Sequence, residues 1–283
     1  MPGYLSSAAS DAIQLPAYSI RHCGGCGLYF KSHTIPLEKL GDYYARLPFT
    51  VFDVDYDFPT DRFLHTMLEA LPSGATVLDF GCSTGRILKE VTHRLECYGV
   101  EINEPAAAIA RERGLRIIGE EQVRSGQPCA FDAIVLTDVY EHLSQPVELA
   151  LALAKALKPG GLLAIVTGNG DAIRDRDRIG EFWYFRLEGH FQMMSEQHVR
   201  WLAQHLGLDL HELHRSSHYH TPLPARCRQY LQSFAFAQFH CSPQGSFAPL
   251  LRAIPVLKRA EFWPNAPTLN CTADHFTAIL RKQ

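Results

Sequence analysis

The sequence predicts an α/β protein whose sheet is mostly parallel and covered by helices on both faces. Three observations carry that expectation. From residue 76 onward, short apolar runs of strand type alternate with segments of helical period. One run, FDAIVLTDV (131–139), is apolar almost throughout, as suits a strand shielded on both faces. The stretch VLDFGCSTGRIL (77–88) passes from an apolar run through glycines and small residues into a helical pattern. That is the form of a strand, a tight turn and a helix start. Alternation of this kind builds a parallel sheet with crossover helices on its faces.

Each element has its own local signal. TDRFLHTMLEAL (60–71) reads as a helix ended by Pro72, Ser73 and Gly74. TVLDF (76–80) is the first buried strand. TGRILKEVTHRL (84–95) puts Ile87, Leu88, Val91 and Leu95 on one helical face. ECYGVEI (96–102) is the second strand. EPAAAIARERG (104–114) carries Pro105 early and Gly114 at its end, as a short helix prefers. LRIIG (115–119) and 131–139 are the third and fourth strands. PVELALALAKAL (146–157) is a helix stopped by Pro159, Gly160 and Gly161, and LLAIVT (162–167) is the fifth strand. SEQHVRWLAQHLG (195–207) is a helix with Ser195 as its cap and Gly207 just past its end. LDLHEL (208–213) is the sixth strand and HFTAILR (275–281) the last.

Bulk properties narrow the function. The chain has 283 residues, 46% hydrophobic and 20% charged, long enough for a sizeable core. Its net charge of −3 is unlike that of a general nucleic-acid binder. No apolar run reaches the length of a membrane span, and no secretory signal is seen at the N-terminus. The eight cysteines are mostly scattered singly, which speaks against a disulfide framework. A cytoplasmic location is therefore expected.

The turn after the first strand decides the ligand class. A P-loop ends in Gly-Lys-Ser/Thr; this turn ends Thr84-Gly85-Arg86. A dinucleotide turn needs G-x-G-x-x-G, but Ser83 and Arg86 stand where its second and third glycines belong. The remaining reading is D-x-G-x-G-x-G with its middle glycine replaced, over Asp79, Gly81, Cys82, Ser83 and Gly85. A carboxylate at the strand tip repels a pyrophosphate and favours a ligand bearing an ammonium and a sulfonium. S-adenosylmethionine carries both. Glu101, closing the second strand, can accept hydrogen bonds from two ribose hydroxyls. Ile102 offers an apolar edge to an adenine, and Glu120 or Glu121 a carboxylate to its amino group.

At this point VLDFGCSTG, YGVEIN, FDAIVLTDVYEHL and ALKPGGLLAIVTGN resemble, in order and spacing, the successive motifs of class I S-adenosylmethionine-dependent methyltransferases. The resemblance covers about residues 70 to 215 and the final strand. It implies a Rossmann-like sheet of seven strands, one of them antiparallel. It also implies cofactor contacts at Asp79, Gly81, Gly85, Glu101 and the end of the fourth strand, Thr137 and Asp138. The branch it most resembles starts with a Cys-x-x-Cys-Gly knuckle and acts on small molecules or sugars.

Further candidates lie around this frame. His142, in VYEHL, is a candidate general base, since an imidazole can take a proton near neutral pH; the opposing reading has Glu141 and His142 bracing their loop. The aromatic stretch 180–195 supplies Trp183, Tyr184 and His190 as acceptor-side candidates, the alternative being packing against the sheet. Cys23 and Cys26 could ligate zinc, but a closed structural site needs four ligands and no earlier cysteine pair precedes them, so an ordinary turn is preferred. Basic and aromatic residues interleave over 222–263, which fits membrane-surface contact or, the preferred reading, a helical cap.

The expected organisation is an N-terminal extension (1–60), a cofactor-binding domain (61–218 with 273–283) and an inserted cap (219–272). The expected activity is transfer of a methyl group from S-adenosylmethionine to a small-molecule acceptor such as a sugar, phenol or natural-product intermediate. O-methylation is favoured, and S-adenosylhomocysteine is the product. A non-catalytic binding subunit and a nicotinamide oxidoreductase are the alternatives. The oligomeric state is left open.

Overall fold

The computed structural model describes residues 17–46, 48–51, 58–125, 130–173, 179, 182–187, 189–241, 245–263, 267 and 272–283. The first sixteen residues of the expected extension lie outside this set, as does part of the acceptor-side stretch.

The chain opens with a hairpin of β1 (Ile20–His22) and β2 (Tyr29–Lys31), with Cys23 and Cys26 in its turn. Helices α1 (Leu37–Arg46) and α2 (Pro59–Glu69) follow. The αβ region contains β3 (Thr76–Phe80), β4 (Glu96–Val100), α3 (Glu104–Glu112), β5 (Arg116–Ile117), α4 (Glu120–Arg124), β6 (Phe131–Thr137), α5 (Pro146–Ala156) and β7 (Leu157–Gly168). After β8 (Gln192–Met193) come α6 (Glu196–Leu206) and β9 (Leu208–Ser216). Helices α7 (Leu223–Cys241), α8 (Ala248–Arg252) and α9 (Pro255–Lys258) precede β10 (His275–Lys282).

Seven strands form the main sheet in the order β5-β4-β3-β6-β7-β10-β9. β10 runs antiparallel to both of its neighbours, and the other pairings are parallel. Alternate residues serve opposite faces, as strand geometry requires. Leu78, Phe80, Ile134, Leu136, Leu163 and Ile165 join one core with α5 and α6. Val77, Ala133, Val135, Ala164 and Val166 join another with Leu64 and Leu68 of α2. The strands are thus covered on both faces, which explains their near-continuous apolarity.

Strand order reverses between β3 and β6. The chain leaves β3 toward β4 and β5, then returns to the other side of β3. Their carboxyl ends therefore splay apart and leave a crevice. Because β10 is antiparallel, its first residue, His275, lies at the same end of the sheet as the last residues of β6.

Several details differ from the sequence reading; β7 already begins at Leu157 and runs through Pro159, Gly160 and Gly161, and β9 extends to Ser216. Residues 84–95 form successive turns instead of a regular helix. Backbone donors there reach back three residues at Val91 and Arg94 and four at Lys89 and Leu95. The Thr92 hydroxyl, bonded to the Lys89 carbonyl at 3.1 Å, offers the backbone a competing partner. The expected apolar face still holds, with Ile87, Leu88, Val91 and Leu95 all buried. In addition, β2 pairs with β8, so the N-terminal hairpin completes a small antiparallel sheet with residues from the far side of β7.

The residues between β9 and β10 pack around their own apolar cluster of Phe236, Phe239, Leu251 and Leu257. Leu223, Leu250, Val256 and Phe262 are exposed there. Among the described residues, no helix is long and apolar enough to cross a membrane.

Candidate active site

The turn after β3 is built from left-handed backbone. Gly81, Ser83 and Gly85 have φ of 78°, 48° and 79°, a region that favours glycine. At Gly81 a side chain is also excluded by space, since a Cβ would lie 2.5 Å from Cγ2 of Val139. The N–H groups of Gly81 and Cys82 both donate to the Val100 carbonyl, at 2.8 and 3.0 Å. The Ser83 N–H donates to Oε2 of Glu101 at 2.8 Å, and the Asn103 N–H to its Oε1 at 2.7 Å. The turn is thereby tied to the tip of β4. Cys82 Sγ is buried and packed so closely on Gly99 that a Cβ there would lie 2.5 Å away. Burial raises its thiol pKa, so Cys82 offers a ligand only its backbone.

Asp79 is 2% exposed, and its Oδ1 has no hydrogen-bond partner. Burial pushes its carboxyl pKa to about 7; Arg86 opposes the shift, while Glu101 and Asp61 add to it. Glu101 is raised too, first by burial, against the backbone N–H groups it accepts. A carboxylate has about four lone-pair sites, so Glu101 retains capacity for two hydroxyl donors.

Ile102 is 53% exposed. Its Cδ1 would lie 3.5 Å from a Cβ built at Gly41 of α1. Asn103 Nδ2 donates to the Tyr44 and Ala45 carbonyls at 3.2 Å each. These contacts hold α1 across the tip of β4. Glu120 heads α4 and pairs with Arg124 at 2.5 Å.

The second half of the site follows β6. Thr137 Oγ1 and Asp138 Oδ1 are buried without hydrogen-bond partners, and Asp138 has φ 53°. Glu141 is 1% exposed and accepts from the Thr167 hydroxyl at 2.8 Å; burial, reinforced by Asp138, raises its pKa to about 7. The Tyr184 hydroxyl accepts the Gly168 N–H at 2.8 Å and lies 3.1 Å from the Thr167 hydroxyl. His142 Nδ1 lies 2.7 Å from the Tyr44 hydroxyl and 2.8 Å from the Gly189 carbonyl. A carbonyl only accepts, so that bond places the proton on Nδ1 and leaves Nε2 as the basic nitrogen. His190 has its Nδ1 buried without a partner, and its ring lies 4.7 Å from His142 and 4.2 Å from Tyr184. Burial lowers the pKa of both imidazoles, His190 strongly. His142, Tyr184 and His190 therefore share one cluster, and Trp183 packs beside it against Tyr184 and His275.

Cys23 and Cys26 sit in the hairpin turn docked on α6, where Ser195 Oγ donates to the Gly27 carbonyl at 2.7 Å. Among the described residues, no cluster of three or more metal-binding side chains includes either cysteine.

The structure adds residues that sequence reasoning missed. Arg86 and Asp61 form an ion pair next to Asp79. Tyr44 reaches His142 from α1. His218, Asp274 and His275 flank the inserted segment and meet at its base. No spacing in the sequence marks this last group, although the chain holds fourteen histidines.

A seven-stranded sheet with one antiparallel strand and an acid-lined glycine turn at its switch point defines the Rossmann-like class. Comparison with known proteins narrows this. A family model described as a methyltransferase domain matches residues 55–213, and the chain belongs to that family. A ubiquinone biosynthesis O-methyltransferase of Idiomarina loihiensis is 34% identical over 105 residues, 34% of this chain and 43% of that protein. One from Xylella fastidiosa is 36% identical over 107 residues, 34% and 43% of the two chains. The matched segment thus spans less than half the length of these curated relatives. Among solved structures, a putative methyltransferase of Bacillus halodurans has TM-score 0.52 at 13% identity, covering 78% of this chain and 98% of that one. A Haemonchus contortus phosphoethanolamine-type N-methyltransferase, solved with S-adenosylhomocysteine, has TM-score 0.50 at 16% identity, covering 78% and 52%. These likenesses concern the fold.

The residues present fit the family's cofactor, S-adenosylmethionine. The unpartnered Asp79 Oδ1, the spare acceptor capacity of Glu101 and the exposed Ile102 supply an anionic, a hydroxyl-binding and an apolar surface around one backbone cradle.

Proposed function

We propose that this chain transfers a methyl group from S-adenosylmethionine to an oxygen of a small-molecule acceptor. The observation that carries the reading is the buried Asp79 carboxyl, its Oδ1 without a partner, beside Glu101 at the switch point of the sheet. The guanidinium nearest it, Arg86, is paired with Asp61, so an acid held there suits a cationic ligand. The bound cofactor would supply a methyl group on a positively charged sulfur, already activated for transfer.

The chain's own residues then have three tasks. Asp79 and Glu101 bind and orient. α1, stapled by Asn103 and Tyr44, excludes water. His142, neutral because burial lowers its pKa, takes the proton from the acceptor hydroxyl at Nε2, with His190 beside it. Alignment accounts for most of the acceleration, since holding two reactants in line replaces a bimolecular encounter. The likeness to ubiquinone biosynthesis O-methyltransferases supports an oxygen acceptor. In this reading, residues 61–218 with 273–283 form the catalytic unit and 219–272 its cap.

Two measurements test it. Calorimetry should show one site for S-adenosylmethionine and none for NADH. A panel of phenols, sugar nucleotides and hydroxylated natural-product intermediates should reveal at least one acceptor that drives release of S-adenosylhomocysteine. Binding of NADH in preference to S-adenosylmethionine overturns the proposal.

A further inference from the structure

We propose that Asp138, His218 and His275 form a binding site for one divalent first-row transition cation at the carboxyl end of the sheet. Each of the three offers a ligand atom, and these atoms all lie within 4.8 Å of one another. The set of two imidazoles and one carboxylate suits zinc, iron(II), cobalt or manganese better than a hard, all-oxygen cation such as calcium.

Three features set this group apart from ordinary buried polar residues. First, two of its atoms lack partners: Asp138 Oδ1 and His218 Nδ1 are buried without a hydrogen bond. His218 is 9% exposed and His275 1%. Secondly, the orientation of His275 is fixed from behind. Its Nδ1 lies 3.2 Å from Asp274 Oδ1, the carboxylate–histidine arrangement that commonly supports a metal ligand. The same oxygen accepts the His218 N–H at 2.8 Å, so one carboxylate braces both histidine positions. Thirdly, donating Nδ1–H to Asp274 leaves the lone pair of His275 Nε2 facing Asp138 Oδ1 at 3.8 Å. That separation is too long for a hydrogen bond. Asp274 and Asp138 both face this ring, so the spot favours a positive charge, which an ion shared by Nε2 and Oδ1 would supply. Ligands about 2.1 Å from a shared ion sit roughly 3 to 4 Å apart, and the His275–Asp138 pair at 3.8 Å falls in that range.

The His218 and His275 rings stack with centres 4.2 Å apart at 23°, and their ligand nitrogens lie within 4.8 Å of each other and of Asp138. The Asp138 side chain is 33% exposed, so water or another oxygen ligand can complete the sphere. The neighbouring set Glu141, His142 and His190 also comes within reach of itself. Its Glu141 carboxylate already accepts from the Thr167 hydroxyl at 2.8 Å, whereas Asp138 Oδ1 has no such partner, which makes that set the weaker candidate. The proposal does not depend on methyl transfer, and its test needs no acceptor.

Tag-free protein, stripped with EDTA and dialysed, is titrated with Co²⁺ and with Zn²⁺. One equivalent should bind per chain, with a visible ligand-field band for Co²⁺ and a rise in melting temperature. His218→Gln and Asp138→Asn should each weaken binding at least about tenfold. His142→Gln should retain it and so exclude the neighbouring set. Because His275 is fully buried, its variant is read only if its far-UV circular dichroism and unliganded melting temperature match the parent. Three results overturn the proposal: no stoichiometric binding; undiminished binding in both His218→Gln and Asp138→Asn; or loss of binding in His142→Gln with retention in those two.

Discussion

The backbone N–H of Ser83 donates to Oε2 of Glu101 at 2.8 Å, tying the turn after β3 to the tip of β4. Ser83 makes this bond from φ 48°, where a non-glycine residue carries about 1–2 kcal/mol of steric cost. Ser83→Gly removes that cost, offset by about 0.5–1 kcal/mol of extra chain entropy. Since the bond uses the backbone, it survives the change. Thermal melts should show a variant as stable as the parent or more stable by up to ~1 kcal/mol. Its S-adenosylmethionine affinity should stay within a factor of about two, roughly 0.4 kcal/mol. A clear loss of affinity would assign the hydroxyl a direct role in binding.

Asp79 makes both stability and binding pH-dependent, in opposite directions. Its folded pKa of about 7 lies above the ordinary 3.8, so the folded chain holds this proton more tightly than the unfolded one. Its contribution to stability is complete below the unfolded value and declines as pH rises through about 7. A cationic ligand prefers the ionised acid, so cofactor affinity should rise over the upper part of the same window, with proton release. Asp79→Asn should flatten this part of the stability curve only in part, because Glu141, also near 7, and Glu101, also raised, keep some slope. It should also weaken cofactor binding at pH 8 at least tenfold, about 1.4 kcal/mol. Melts from pH 4 to 8 and calorimetry in two buffers of different ionisation enthalpy measure both effects. Unchanged affinity in the variant at pH 8 would remove Asp79 from the site.

Tyr184 has a structural task beside its proposed place on the acceptor side. Its hydroxyl satisfies the Gly168 N–H, and a Cβ built at Gly168 would overlap its ring at 2.4 Å. Tyr184→Phe leaves a buried N–H without its acceptor, at a cost of about 1–3 kcal/mol. Denaturant unfolding should show that loss with an unchanged m-value, while the circular dichroism spectrum is retained. A variant as stable as the parent would show that Gly168 finds another acceptor.

Much of the fold was legible because each strand carries its own apolar run and each helix its own boundary. Ser195 accepts the His198 N–H at 3.0 Å and Gly207 closes α6 at φ 67°, both as their residue types imply. The stretch 84–95 misled because its apolar spacing is helical while its backbone bonding is mixed. The glycine turn and its acids were readable for a local reason: Asp79, Gly81, Gly85 and Glu101 belong to one β-turn-β unit. Other contributors were invisible for the converse reason. Asp61 and Arg86 lie on different segments and meet only when α2 packs on the sheet. His218 and His275 stand on either side of an insertion and converge because β10 enters antiparallel. No spacing within a single element encodes that.

The base can be tested by separating proton transfer from binding. His142 is held at Nδ1 by Gly189 and Tyr44, while its ring edge meets His190 at 78°. If Nε2 takes the acceptor proton, His142→Gln should lower kcat by about 10²–10⁴, the usual worth of a general base. Cofactor affinity should hold, because Asp79 and Glu101 bind independently of it. The parent's kcat should rise with pH along a limb below the ordinary imidazole value, since burial lowers this pKa. That limb should be absent from the variant. Tyr44→Phe removes one Nδ1 neighbour and keeps the Gly189 carbonyl, so it should lower kcat far less and preserve the limb. A merely bracing histidine gives a different pattern: kcat and cofactor affinity fall together, and the pH limb persists in whatever activity remains.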